Sequence, residues 1–333
     1  MTPPTSLETR TLGKDGPAVP VIGFGAWPIG GGMGTVDVQQ AIRTIHHALD
    51  HGVTLIDTAE AYRTSEETIG KALAEWSGPR EKIFLATKVR GTDLSRAHIV
   101  EAIEQSLRSL GTEYVDLLQA HSWDSRHAID ETMVAFDDLT RQGKVRYIGV
   151  SNFTGWQLMR SLEVSDAHGF ERFVCLQPQY SLAERNIERE VLPVCVEEGL
   201  GVIPWSPLGG GFLSGKYRRE EEPPEGSRIA GAEESMEEYW DRRATERNWA
   251  TLDAVGRISE ETGKSYAQIS LNWLLRQNGV TAPIIGARTL EQLEDNIGAS
   301  GWELSGDQVE ELSEASALED VYPYRFIRNA QRV

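Results

Sequence analysis

Short apolar, β-branched runs alternate along this chain with longer segments of helical spacing, and the alternation occurs eight times. The runs occupy residues 21–25, 54–56, 83–86, 115–118, 145–150, 173–176, 202–204 and 283–285. Each is almost wholly apolar, as expected of a strand covered on both faces. Eight strand–helix repeats over about 280 residues favour a (β/α)8 TIM barrel of the α/β class, because a doubly wound sheet usually has fewer strands and a topological switch.

The segments between and around these runs predict the rest of the architecture. Amphipathic spacing predicts helices at 38–50, 65–76, 96–110, 131–142 and 188–198. Residues 9–12 and 19–22, joined by a turn at 13–16, predict a β-hairpin that caps one barrel end. Residues 206–245 carry an acidic patch at 233–238 and predict a long surface loop after the seventh strand. The tail after Ser316 is expected either to fold over a pocket mouth or to fray.

Composition limits the class of partner. The 333 residues contain 33 Lys+Arg and 51 Asp+Glu, a net charge of -18, which argues against binding to nucleic acid or anionic lipid. A hydrophobic content of 40% is sufficient for a large core, and we expect residues 1–333 to form a single barrel domain. Met1 to Arg10 holds no signal-peptide core and no window resembles a membrane span, so we expect a cytoplasmic protein that acts on a small molecule. The sequence does not predict an oligomeric state.

Thiol and metal chemistry find little support in the sequence. Cys175 and Cys195 form no CxxC pair and are expected to be buried thiols. His46, His47 and His51 lie on one predicted helix without a carboxylate set of ligand spacing, so we interpret them as a solvated face and predict no metal.

Polar residues follow nearly every predicted strand. In chain order the polar residues are Asp57, Lys88, His121, Ser151 with Asn152, Gln177 and Ser206, and Gly286 follows the eighth strand. Catalytic groups of such barrels lie at the carboxyl ends of the strands, so these residues are expected to meet in one site. A lone Asp or His at such a position is as easily a helix cap or a packing residue, but the set in register favours a site.

Three of these residues, on adjacent strands, form a proton-transfer set with Tyr62. We expect Lys88 to lower the pKa of the Tyr62 phenol, Asp57 to hold Lys88 charged, and His121 to donate to a substrate oxygen. A tuned phenol is suited to carbonyl reduction or alcohol oxidation. Since no side chain supplies hydride, a nicotinamide or a flavin is required.

The remaining polar and aromatic residues favour the nicotinamide. Ser151, Asn152 and Gln177 can fix a carboxamide, and the face of Trp205 can stack on a pyridine ring. The run PLGGG at 207–211, with Lys216 beyond it, is suited to a pyrophosphate. Residues 286–288 precede a helix beginning near Thr289 and are suited to a phosphate monoester. The glycines at 23–34 lack GxGxxG spacing and are interpreted as a first-strand loop, with Trp27 at the pocket rim.

These motifs resemble those of the aldo-keto reductases, in particular the bacterial general-reductase branch, along essentially the whole chain. In family order they are DTAEAY at 57–62, ATKV at 86–89, HSWD at 121–124, GVSNF at 149–153, LQPQYS at 176–181, PWSPLGGGFLSGK at 204–216 and PIIGART at 283–289. The resemblance implies a (β/α)8 barrel and reversible NADPH-dependent reduction of aldehydes or ketones. It also implies a catalytic tetrad of Asp57, Tyr62, Lys88 and His121, with Tyr62 as general acid.

The same resemblance implies a set of residues that bind NADP(H). They are Ala26, Trp27, Asp57, Ser151, Asn152, Gln177, Trp205, Ser206, Pro207, Leu208, Gly209, Gly210, Lys216, Arg228, Gly286, Ala287, Arg288, Gln292 and Asn296. Arg288 favours NADPH over NADH, and Trp205 stands where many members have Tyr. An apolar substrate pocket is expected from Trp27, Trp123 and Phe153.

Two other functions stay open at this point. One is a non-catalytic subunit that binds NADPH, senses redox state and regulates a partner. The other is a barrel lyase or hydrolase that uses Asp57 and His121 with a metal.

Overall fold

A computed structural model describes residues 7–31 and 37–331 of the chain. Predictions for residues 1–6 and for the glycines at 32 and 34 fall outside the described residues. The predicted hairpin is present as β1 (Thr9–Thr11) and β2 (Ala18–Pro20), paired antiparallel. The eight predicted barrel strands follow as β3 (Gly23–Gly25), β4 (Leu55–Asp57), β5 (Phe84–Val89), β6 (Val115–Ala120), β7 (Val145–Ser151), β8 (Phe173–Gln177), β9 (Gly201–Val202) and β10 (Ile284–Ile285).

These eight strands form one parallel sheet that closes on itself. Its order is β10-β3-β4-β5-β6-β7-β8-β9. The segments of β9 and β10 are joined because Thr281 N donates to Val202 O at 2.8 Å and Ile284 N donates to Pro204 O at 2.8 Å. The (β/α)8 barrel predicted from the alternation is thus confirmed.

Helices surround the barrel, and their bounds follow amphipathic spacing and capping residues. They are α1 (Val38–Asp50), α2 (Ser65–Glu75), α3 (Arg96–Leu110), α4 (Ile129–Arg141), α5 (Gly155–His168), α6 (Val191–Glu198), α7 (Trp240–Arg243), α8 (Glu246–Thr262), α9 (Tyr266–Leu275), α10 (Leu290–Ile297), α11 (Gly306–Ala315) and α12 (Tyr324–Gln331). Two of the predicted helices match α1 and α3, and the other three differ from α2, α4 and α6 by a few residues at their ends. In the described part of the chain no helix is both long and apolar enough to cross a membrane.

The hairpin fills the amino-terminal end of the barrel. Leu12 and Val19 are fully buried there, in an apolar cluster with side chains from inside the barrel such as Leu55 and Leu117. The backbone N–H of Lys14 donates to Gly199 O at 2.8 Å and fastens the turn to the loop between α6 and β9. With this end packed by hydrocarbon, polar groups of a site are left to the opposite, carboxyl end.

The long surface loop predicted after the seventh strand is confirmed, since residues 215–239 contain no helix or strand and are mostly exposed. Residues 206–245 contain a 3-10 turn at Gly209–Ser214 and helix α7, and Glu238 of the predicted surface patch is only 7% exposed. The described part of the tail, residues 317–331, lines neither of the two cavities at the carboxyl end of the barrel. It ends in α12, where Tyr324 donates its hydroxyl to Glu190 Oε1 at 2.8 Å, ahead of α6. Contacts between residues distant along the chain hold parts of both segments, and local sequence pattern does not reveal such contacts.

Candidate active site

The centre of the site is a buried ion pair at the carboxyl ends of two neighbouring strands. Asp57 is the last residue of β4, and Lys88 lies next to the end of β5. The ammonium of Lys88 donates to Asp57 Oδ2 at 2.6 Å and to the carbonyl of Thr58 at 2.8 Å. The two residues are 2% and 1% exposed, so each charge depends on the other for compensation.

Two amide side chains complete the environment of Asp57. Gln177 at the end of β8 donates to Asp57 Oδ1 at 2.8 Å, and Gln119 of β6 donates to the same oxygen at 3.2 Å. Hydrogen bonds to a carboxylate favour its charged form. Gln119 was not among the predicted site residues, although an amide beside the apolar run of β6 is a recognisable signal.

Tyr62 lies above this pair, on the loop that follows β4. Its ring centre is 5.0 Å from Lys88 Nζ. The ring centre of His121, the residue after β6, is 5.6 Å from that of Tyr62, with the two planes at 78°. The structure therefore brings all four residues of the predicted tetrad together.

The protonation states differ in one respect from the prediction. Burial raises the pKa of Tyr62 above its ordinary value of 10.0, although the charge of Lys88 acts in the opposite direction. The prediction of a lowered phenol pKa is therefore wrong in sign, because it considered Lys88 and not desolvation. Burial disfavours the ammonium of Lys88, but Asp57 and Tyr62 together outweigh it and raise the Lys88 pKa. For His121, burial, with the charge of Lys88 added, lowers the pKa to about 3, so the imidazole is neutral at physiological pH.

A cavity of about 470 Å³ opens above these groups. Asn152 organises one wall: its side-chain amide donates to His121 O at 2.9 Å and its Oδ1 accepts from Trp205 Nε1 at 2.9 Å. Its φ of 56° lies in the left-handed region, a strained conformation for a residue other than glycine. The predicted residues that line the cavity are Trp27, Asp57, Tyr62, His121, Ser151, Asn152, Gln177, Trp205, Ser206, Arg228 and Gly286.

A second cavity, of about 220 Å³, adjoins the first and shares Ser206, Arg228 and Gly286 with it. The predicted residues Pro207, Leu208, Gly210, Lys216, Arg288, Gln292 and Asn296 line it. Burial lowers the pKa of Lys216, and the charge of Arg288 lowers it further. Among the described residues neither cation is part of an ion pair.

The shape of this second cavity suits a phosphate-bearing ligand. Gly210 and Gly211 have φ of 71° and 92°, which only glycine adopts readily. A Cβ on Gly211 would lie 3.1 Å from Lys216 Nζ. Because glycine has no side chain, the Lys216 ammonium can occupy its position without a close contact. Thr289 caps the amino terminus of α10 beside Arg288, which adds helix-dipole attraction for an anion. The cavity thus presents two uncompensated cations and close-approach glycines, which fit a nucleotide with phosphates.

Arg228 connects the long segment after β9 to the loop after β3. Its guanidinium carbon lies 4.3 Å from the ring centre of Trp27, and Nη2 donates to Glu238 Oε1 at 2.6 Å. The same carboxylate oxygen accepts from Ser206 Oγ at 3.2 Å. The prediction named Arg228 but not Glu238, since an acidic run on a polar segment gives no sign of which member turns inward.

Several predicted residues do not line either cavity. Ala26 and Ala287 are buried behind the walls, as is Gly209, whose Cβ would contact Ala183 at 3.4 Å. Phe153 is 4% exposed and packs edge-on to Phe173 in the core. Trp123 contacts Phe153 and Trp156, with ring centres 5.3 Å apart in each pair. Of the three predicted pocket residues, only Trp27 faces the catalytic cavity.

The histidines interpreted as a solvated face are partly buried instead. His46 Nε2 lies 2.8 Å from Ala72 O on α2, and His47 Nε2 lies 3.0 Å from Glu294 on α10. They serve packing between helices, which is why the solvated-face interpretation is wrong. Both thiols are buried, as predicted. Burial raises the pKa of Cys195 to about 12 and that of Cys175 further, which leaves both unreactive.

The fold and the site together define a barrel protein whose reactive groups lie at the carboxyl ends of its strands. A model of the aldo/keto reductase family matches residues 21–317, and the chain belongs to that family. It is 36% identical to the uncharacterized oxidoreductase YrpG of Bacillus subtilis over 88% of this chain and 91% of that protein. Aldo-keto reductase YhdN of Bacillus subtilis is 35% identical over 92% and 93%. Norsolorinic acid reductase stcV of Emericella nidulans is 32% identical over 89% and 76%. The family supports an oxidoreductase that uses a nicotinamide cofactor.

Proposed function

We propose that this protein reduces aldehydes or ketones to alcohols with NADPH, reversibly, and that Tyr62 is the general acid. The observation that carries the proposal is the cluster formed by Asp57, Lys88, Tyr62 and His121 at the floor of the catalytic cavity. A protonated phenol next to a buried ammonium is an arrangement that can give up one proton and tolerate the anion left behind.

The two adjoining cavities support a dinucleotide bound across the carboxyl end of the barrel. Trp205, Gln177 and Ser151 would hold its nicotinamide end, and Lys216 with Arg288 its phosphate-bearing end. When bound, the dinucleotide supplies the hydride that no side chain can give. The two cations support NADPH over NADH, because a phosphate monoester carries more charge than a ribose hydroxyl.

The chain's own residues perform the proton transfer. The carbonyl oxygen lies between the Tyr62 hydroxyl and the neutral imidazole of His121, which donates a hydrogen bond and polarises the C=O bond. As the carbonyl carbon gains hydride, the O–H bond of Tyr62 breaks and its proton passes to the oxygen, giving the alcohol. The phenolate that remains is stabilised by the ammonium of Lys88, which Asp57 holds in place. Alcohol oxidation is the reverse of these steps.

Substitution of Tyr62 by Phe tests the proposal. The expected result is a fall in kcat for an activated aromatic aldehyde of about 100-fold or more, the usual worth of a general acid, with NADPH affinity retained. Steady-state rates and NADPH fluorescence titration measure the two quantities. A Tyr62→Phe variant with wild-type kcat would show that Tyr62 is not the acid.

The non-catalytic alternative is tested with the wild-type protein. A redox-sensing subunit would oxidise one equivalent of bound NADPH and then stop on every carbonyl compound offered. Sustained turnover contradicts that alternative, and turnover that persists with chelator contradicts a metal-dependent lyase or hydrolase.

A further inference from the structure

The charges on the walls of the catalytic cavity do not all cancel, and the excess is negative. Asp57 and Lys88 compensate each other at 2.6 Å, as do Glu238 and Arg228 at 2.6 Å. His121 and Tyr62 are both neutral at physiological pH, since burial lowers the pKa of the imidazole to about 3 and raises that of the phenol. The remaining ionisable residue of the wall is Glu237.

Glu237 has no ionic partner in the part of the chain that the structure describes. It lies at the mouth of the cavity, on the same segment as Met236, and both side chains line it together with Trp27. The charge of Arg243 attracts Glu237 as well as Glu238, but among the described residues no cation is paired with Glu237 within the cavity wall. Arg63 donates to Gly31 O at 3.1 Å and does not line the cavity, and the guanidinium of Arg243 is buried behind the segment.

We propose that Glu237 selects substrates by charge: the protein acts on carbonyl compounds with an apolar body and a neutral or positively charged far end, and discriminates against those bearing a carboxylate. The inference rests on the proposed carbonyl reduction and names its substrate class. A substrate whose carbonyl group reaches Tyr62 and His121 extends past Trp27 and Met236, which provide apolar contact, toward the carboxylate of Glu237.

The expected size of the effect follows from the position of Glu237 at the mouth. Unit charges about 4 to 8 Å apart in a largely aqueous environment change an affinity by about 2-fold to 5-fold, and more where the site is partly dry. Because this interaction is exposed to solvent, salt weakens it, unlike the buried pair of Asp57 and Lys88. A cation and an anion of similar shape should therefore differ by about 5-fold to 25-fold through Glu237 alone.

The test uses three para-substituted benzaldehydes with the wild-type protein and Glu237→Gln. They are 4-(trimethylammonio)benzaldehyde, its neutral isostere 4-tert-butylbenzaldehyde and 4-formylbenzoate. The quantity measured is kcat/KM for the cation divided by kcat/KM for the anion, with the neutral aldehyde as reference. Intrinsic reactivities cancel when variant and wild type are compared on the same substrates. We expect this ratio to fall by about 5-fold to 25-fold in Glu237→Gln at low salt, mainly through KM, and the difference to shrink at about 0.5 M salt.

A matched control is Glu234→Gln, on the same segment but outside the cavity wall, which should leave the ratio unchanged. Glu237→Lys should invert the preference. An equal ratio in wild type and Glu237→Gln, with good turnover of the neutral aldehyde, overturns the charge selection and leaves the reductase function standing. Failure of the wild type to turn over the neutral aldehyde overturns the proposed reduction, and the substrate class with it.

Discussion

Arg228 lies over the indole of Trp27, with its guanidinium carbon 4.3 Å from the ring centre. The two residues belong to segments far apart in the chain; both line the catalytic cavity, and Arg228 also lines the second one. Glu238 holds the other side of the guanidinium at 2.6 Å. A dinucleotide bound as proposed across both cavities would lie next to this contact, so we expect the contact to slow its release.

Removal of the aromatic face should speed cofactor release. A partly exposed cation–π contact contributes about 0.5 to 1 kcal/mol, so Trp27→Ala should raise the NADPH dissociation rate by about 2-fold to 5-fold. Stopped-flow displacement of bound NADPH measures it without substrate. Trp27→Phe keeps a ring beneath Arg228, so its NADPH dissociation rate should lie between those of the wild type and Trp27→Ala. Equal rates for the Ala and Phe variants would mean that the ring does not retain the cofactor.

The ion pair of Asp57 and Lys88 should govern stability as well as catalysis. Lys88→Met leaves a buried carboxylate without its cation and should cost about 3 to 5 kcal/mol in free energy of unfolding. Denaturant titration at neutral pH measures the free energy of unfolding. The double variant Asp57→Asn with Lys88→Met should cost less than the sum of the single changes, since neither charge is then left alone. Additive costs would contradict direct coupling.

The pH dependence follows from the raised pKa of Tyr62. Reduction needs the protonated phenol, which persists up to its pKa, so the rate of reduction should stay flat from about pH 6 to about pH 9 and fall only at higher pH. Alcohol oxidation needs the phenolate, and its rate should rise with pH over the same range. Lys88→Met removes a charge that lowers this pKa, so both transitions should move upward. A fall in reduction near neutral pH would identify a different acid.

The cations of the second cavity should set the choice of cofactor. A hydrogen bond to a charged group is worth about 1.5 to 3 kcal/mol, so Arg288→Gln should weaken NADPH binding by about 10-fold to 100-fold and NADH binding far less. Fluorescence titration with both cofactors gives the ratio. The control is Arg160→Gln, whose guanidinium pairs with Glu163 on the surface of α5. An equal loss for NADPH and NADH would contradict contact with a 2′-phosphate.

The barrel and the location of the site were predictable from local pattern. Asp57, Lys88 and His121 each follow an apolar run, and parallel strands in a closed sheet bring their carboxyl ends to one rim. Strand counting and the position of each polar residue therefore predicted that these three side chains meet, whereas the tetrad with Tyr62 as general acid came from the family resemblance. In the sheet register, Asp57 lies opposite Ala86 and Lys88 lies opposite Gln119, so the carboxyl ends of these adjacent strands are side by side.

Properties that depend on burial were not predictable in this way. The sign of the Tyr62 pKa shift depends on how deeply the phenol is buried, whereas local pattern indicates only its charged neighbour, Lys88. Glu238 stands in an acidic run that looks solvated, yet it points inward to Arg228 and Ser206. Phe153 follows the strand-end Asn152 and was expected in the pocket wall, but its ring points into the core.

The hairpin at the amino-terminal end of the barrel determines how protons reach the site. Leu12 and Val19 cover that end with hydrocarbon, so among the described residues the open approach for bulk water to Tyr62 is the cavity at the carboxyl end. Under the proposed mechanism, the phenolate left by each reduction would be reprotonated from that side, past the residues that line the mouth. Alcohol release and proton uptake would therefore use the same opening. A solvent isotope effect on turnover would show whether proton uptake through it limits the rate.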